Sequence, residues 1–76
     1  MVTVQVFRQA SGKPAKSEQV SMSNDSLFGG FVTPRQMTDA NGEAHFPTFE
    51  PCQGTIYVNG KEVYKGRIEG RKIVYI

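Results

Sequence analysis

His45 and Cys52 are the only histidine and the only cysteine in this 76-residue chain, so chemistry that needs an imidazole or a thiolate has to run through them. A Cys-His dyad requires the two side chains within about 3 Å and a thiol pKa drawn down by its neighbour. No residue pattern supplies an orienting third group or an oxyanion hole, and the simpler reading is an exposed histidine beside a half-buried loop thiol. A zinc site asks for three or four ligands, a number this pair reaches only if carboxylates such as Glu43 or Glu50 join it. Asp39-Ala40-Asn41-Gly42 shares oxygen-bearing residues with calcium loops, but those loops place oxygen ligands first, third and fifth with Gly sixth. Here Gly is fourth, and the segment reads as a turn. The expectation is therefore no catalytic residue, no metal and no cofactor.

Two other groupings bear on binding rather than catalysis. In the last third of the chain Lys61, Lys65, Arg67, Arg71 and Lys72 outnumber Glu62 and Glu69, and Tyr57, Tyr64 and Tyr75 lie among them. Cations for phosphate interleaved with rings for stacking are what single-stranded nucleic acid needs. Lysines on exposed strands also discourage edge pairing, and the formal charge of +2 over the whole chain is too small to name a partner. The second grouping is Leu27, Phe28 and Phe31 around Gly29-Gly30, three large apolar side chains where turn residues predict a loop. Such a loop either caps the open end of a small core or presents a contact patch to another protein.

The elements that position these residues are short strands. Val, Ile and Thr number 17 and the aromatics 8, against one Leu and four Ala, a balance that favours pleated structure over helix. A chain of this length buries only about 60% of its unfolded surface, which allows one core and one domain, residues 1–76. A single cysteine leaves no internal disulfide to staple it. No stretch approaches the roughly 18 apolar residues of a membrane helix. Val2, Val4 and Val6 alternate with Thr3, Gln5 and Phe7 and predict a first strand with the valines inward. Ser11-Gly12-Lys13-Pro14 turns the chain, and Gln19 to Met22 resumes the alternation. Arg35 to Thr38 reads as an edge strand beyond Pro34. After the Asp39-to-Gly42 turn, Ala44 and Phe46 face inward and Glu43 and His45 outward. Pro47 and Pro51 bracket an irregular segment that ends at Gly54. Thr55 to Val58, Asn59-Gly60 and Lys61 to Tyr64 then form the clearest hairpin, since Asn-Gly suits a tight turn with positive φ at both places. Lys65 to Glu69 prolong its second arm, and Lys72 to Ile76 make a last strand with Ile73 and Tyr75 on one face and Val74 and Ile76 on the other. About seven short strands suggest a two-sheet sandwich, mainly antiparallel.

The run Thr38-Asp39-Ala40-Asn41-Gly42-Glu43-Ala44-His45-Phe46, followed by Gly54-Thr55-Ile56-Tyr57-Val58, resembles the carboxypeptidase-regulatory-like, prealbumin-like (transthyretin-like) sandwich family. That pattern is Thr-Asp, two residues, Gly, an alternating strand, a short loop ending in Gly, and a second alternating strand. The valine strand and Gly12-Lys13-Pro14 are similar to the family's opening strand and Gly-x-Pro turn, so the likeness runs from Val2 to about Lys61. Two departures stand out: Pro51-Cys52-Gln53-Gly54 replaces a Pro-Gly pair, and the Leu27 to Pro34 stretch is more apolar than the family's usual loop. The hydroxyisourate hydrolases of this group carry a Tyr-Arg-Gly-Ser end and several site histidines. This sequence ends Lys72-Ile73-Val74-Tyr75-Ile76 and has one histidine, so the resemblance implies an accessory or binding domain and no enzyme.

These readings converge on an all-β, prealbumin-like sandwich that acts as a non-catalytic interaction domain. The expected partner is another protein or a second copy, taken by the apolar loop Leu27, Phe28 and Phe31 or by a sheet edge. The alternative is a nucleic-acid or polyanion surface made by Tyr57, Lys61, Tyr64, Lys65, Arg67, Arg71 and Lys72. No membrane partner is expected, and a complete chain of this kind is expected in the cytoplasm.

Overall fold

Alternation along Val2 to Phe7 puts three valines on one face, and in the computed structural model, which describes residues 1–25 and 30–76, all three are fully buried. Seven strands follow one another: β1 (Val2–Phe7), β2 (Gln19–Asn24), β3 (Gln36–Met37), β4 (Glu43–Phe46), β5 (Cys52–Val58), β6 (Lys61–Ile68) and β7 (Arg71–Tyr75). They form two sheets, of order β4-β1-β7 and β3-β2-β5-β6. Every pairing is antiparallel except β1 with β7, which run parallel. The inner faces meet in one core, in which Met22, Ile56 and Ile68 are, among the described residues, the largest side chains completely removed from water. Val4 and Phe46 are both buried as the alternation predicts, and β1 and β4 lie side by side in one sheet with Val2 opposite Phe46.

The segment 47–51, in which the sequence shows no period, contributes Phe49 to the core at 4% exposure. Its amide donates to the Phe46 carbonyl at 3.2 Å, a local reversal that turns the ring back under the sandwich. The edge of β2 is covered by the chain before β3: Thr33 N–H donates to the Met22 carbonyl, and the Thr33 hydroxyl accepts from the Met22 amide. On the other side, among the described residues, β6 and β7 are the outermost strands of the two sheets. Lys72 sets its ammonium 4.9 Å from the centre of the Tyr64 ring there. A charge held beneath an aromatic face at the open edge opposes pairing with a further strand.

The β5–β6 hairpin closes as its sequence predicts, with Asn59 at φ +53° and Gly60 at φ +82°. Beyond the turn one extra residue, Val63, sits between Tyr64, which is opposite Ile56, and Glu62, which is opposite Tyr57. This bulge shifts the facing of the arm's first residues relative to its last. A Cβ on Gly60 would meet nothing within 4 Å, so replacing Gly60 with Val tests backbone strain alone. We expect the urea midpoint to fall by the equivalent of about 1–2 kcal/mol, the cost of left-handed backbone for a β-branched residue.

Candidate functional site

The chain near Pro34 and the reversal after β4 leave a cleft between them at one side of the sandwich, of about 320 Å³. Phe46 and Phe49 form its floor, Phe31, Val32 and Pro34 one wall and Pro47 the other. The floor is buried, but the mouth is not: Phe31 is 54% exposed and Val32 64%. The Phe31 ring lies tilted over Phe49, with centroids 5.9 Å apart and planes at 59°, the geometry aromatic pairs favour. Phe31 is thus half seated against the core and half in water. Of the predicted apolar loop, Phe31 is placed at this mouth; Leu27 and Phe28 lie outside the described residues. Phe49 was missed by sequence reasoning because segment 47–51 has no periodicity, although prolines on both sides mark it as a fixed bend.

The predicted basic and aromatic surface is divided among four places. Tyr57, Lys65 and Arg67 share the outer face of the larger sheet, opposite in alternation to buried Ile56 and Ile68. Tyr64 and Lys72 turn toward each other between the two sheet edges, and the Tyr64 hydroxyl donates to the Arg67 carbonyl at 2.9 Å. Lys61 lies at the hairpin end, where it lines a second cleft with Tyr75 and Ile76. Arg71 is on the outer face of the other sheet, where it donates to Glu43 at 2.5 Å and to Gln5 at 3.1 Å. The division follows from period-two alternation, the bulge at Val63 and the assignment of β6 and β7 to different sheets. Tyr57, Lys65 and Arg67 are what remains as a common face, and Arg67 there lies 3.5 Å from Glu69.

His45 and Cys52 belong to different sheets. His45 is exposed, and its Nδ1 lies 3.1 Å from the Thr3 hydroxyl on the neighbouring strand. Cys52 opens β5 opposite Ile68 and is partly buried. Burial pushes its thiol pKa up; Arg67 opposes that shift and Asp25 adds to it. A thiol held in its protonated form is a poor nucleophile. Asp25 is otherwise occupied, accepting from the hydroxyls of Ser23 and Thr55 at 3.2 and 3.1 Å.

The Asp39-to-Gly42 segment is a turn, as its residue types predict. One carboxylate oxygen of Asp39 accepts from the amides of Asn41 and Glu43 at 2.9 and 3.0 Å, while Gly42 N–H donates to the Asp39 carbonyl. The Glu43 amide is the main cause that holds the Asp39 carboxyl below its ordinary pKa. Thr38, just before the turn, is buried and donates its hydroxyl to the Ala15 carbonyl at 2.6 Å. The Thr-Asp pair therefore has a structural task in this chain, tying the turn to the segment before β2.

No protein-family model matches the sequence, and comparison with curated proteins finds no match. Among solved structures the chain is similar to transthyretin from Sparus aurata, with 15% sequence identity and a TM-score of 0.66 over 99% of this chain and 86% of that one. At this identity the likeness concerns the fold: two sheets, all β, in a prealbumin-like sandwich.

Proposed function

We propose that this prealbumin-like sandwich is a non-catalytic interaction domain that receives an apolar side chain of a protein partner, or of a second copy, in the cleft over Phe46 and Phe49. The observation that carries this reading is Phe31, a ring left half in water at the mouth of an aromatic-floored cleft. Covering such a ring removes apolar area at about 25 cal/mol per Å², and aromatic groups centred in an interface dominate association energies. The finer family assignment, to carboxypeptidase-regulatory-like accessory domains, rests on the Thr38-Asp39 turn and the strands around it, and it agrees with a binding role. The competing reading, a nucleic-acid or polyanion surface, keeps Tyr57, Lys65 and Arg67 on one face.

Replacing Phe31 with Ser tests the proposal. We expect the thermal midpoint to change by less than the roughly 4–8 °C that 1 kcal/mol produces in a domain of this size, and concentration-dependent sedimentation or partner binding to be lost. A stability loss above about 2 kcal/mol, the range of a core truncation, would make Phe31 a cap of the core and defeat the proposal. Binding that instead weakens steeply with added salt would transfer the function to the basic face, because phosphate contacts release counterions.

A further inference from the structure

On the outer face of the smaller sheet, strand alternation and one tight turn bring three ligating side chains together. Glu43 and His45 are two residues apart on β4 and so project from the same outer face. The Asp39-to-Gly42 turn folds Asp39 back beside them. One ligand atom from each of Asp39, Glu43 and His45 lies within 4.8 Å of the others, and His45 Nε2 is 3.9 Å from Glu43 Oε1. In a tetrahedral zinc site, with bonds of about 2.0–2.1 Å, ligand atoms are about 3.4 Å apart. The three groups are therefore within a small side-chain adjustment of a coordination shell.

Each group has one ligating atom set aside by the surrounding structure. Asp39 uses Oδ1 for two backbone amides, which leaves Oδ2. Glu43 gives Oε2 to Arg71, and its Oε1 is the oxygen nearest His45. His45 engages the Thr3 hydroxyl through Nδ1, which leaves Nε2, the nitrogen that lies 3.9 Å from Glu43 Oε1. Thr3 is only 7% exposed and stands directly opposite His45 in the β1–β4 register. An imidazole whose second nitrogen is held by a buried oxygen is the arrangement that orients histidine ligands and sets their tautomer. With metal on Nε2, Nδ1 carries the proton and donates it to Thr3. The two carboxylates and the Arg71 guanidinium sum to −1, which leaves room for a dication.

We propose that Asp39, Glu43 and His45 form a binding site for a divalent transition-metal ion, with Thr3 as the positioning residue behind His45. One imidazole with two carboxylates suits zinc and its neighbours, whereas magnesium and calcium prefer oxygen alone. Three protein donors leave a fourth position for water or for a donor from a bound molecule. This site lies on the outer face of the smaller sheet, apart from the Phe31 cleft, and does not depend on the proposed function.

The experiment is calorimetric titration of the whole chain with zinc chloride at neutral pH, in a Cys52→Ser background that removes the thiol as a competing ligand. We expect one equivalent to bind with a dissociation constant below about 100 μM, and amide shifts in 1H–15N spectra at residues 39–45, Thr3 and Arg71. His45→Gln and Asp39→Asn should each weaken binding at least tenfold. Thr3→Val, which keeps shape and removes the hydroxyl, should weaken it by about tenfold, as loss of such a supporting contact does. Magnesium and calcium at millimolar concentration should not displace zinc. The proposal is overturned by the absence of saturable binding up to 1 mM zinc, by equal affinity in His45→Gln, or by shifts confined to other residues. Unchanged affinity in Thr3→Val would remove its positioning role. The spectra locate the ion in the parent chain, so the result stands even where a variant fails to fold.

Discussion

Phe46→Ala is expected to lower stability by about 3–5 kcal/mol, the cost of truncating a buried aromatic ring. A 76-residue domain at the usual 0.05–0.15 kcal/mol per residue has about 4–11 kcal/mol in all, so this one change takes the chain to the edge of unfolding. Phe46 is 5% exposed and belongs to the single core cluster with Val2, Val4, Ala44 and Phe49. It ends β4 opposite Val2, at the point where the chain reverses into the Phe49 bend. Removing the ring opens a cavity beneath both, and the backbone hydrogen bonds of the β1–β4 pair resist its collapse. Urea unfolding followed by circular dichroism measures the effect. A loss under about 1 kcal/mol would mean that the ring is not a core element, and the alternation from Glu43 to Phe46 would then be assigned to the wrong faces.

Gly54→Ala should cost about 3 kcal/mol, the upper end of what overpacking usually costs, although it adds one methyl group. Gly54 is buried between Asn24 on β2 and Gly66 on β6. A Cβ there falls 2.1 Å from the Ser23 carbonyl oxygen and 2.9 Å from Ile68 Cδ1. The first neighbour is backbone of the adjoining strand, so relief requires β2 and β5 to separate. Gly60, in open space, provides the contrast: its substitution strains φ and meets no atom. If Gly54→Ala and Gly60→Val shift the urea midpoint equally, close approach of β2 to Gly54 is not the reason for glycine at that position.

What the sequence by itself determined is local. The valine alternation, the outward placement of Glu43 and His45, and the Asn59-Gly60 hairpin with its positive φ values follow from neighbouring residues, because pleat period and turn sterics act over two to four positions. About seven short strands in a two-sheet sandwich were legible on that basis, as was Cys52 as a half-buried thiol, whereas the prealbumin-like class came from the resemblance carried by Thr38 to Phe46 and Gly54 to Val58. What only the tertiary structure decided is pairing between distant segments: the parallel docking of β7 on β1, the burial of Phe49, and the separation of Arg71 and Lys72 from Lys65 and Arg67. The meeting of Asp39, Glu43 and His45, with Thr3 and Arg71 behind them, has the same origin. A run of alternating residues states which side chains share a face but not which strand comes to lie beside it. That choice is made by the fit of whole apolar faces in one small core, and a core is a property of all seven strands at once.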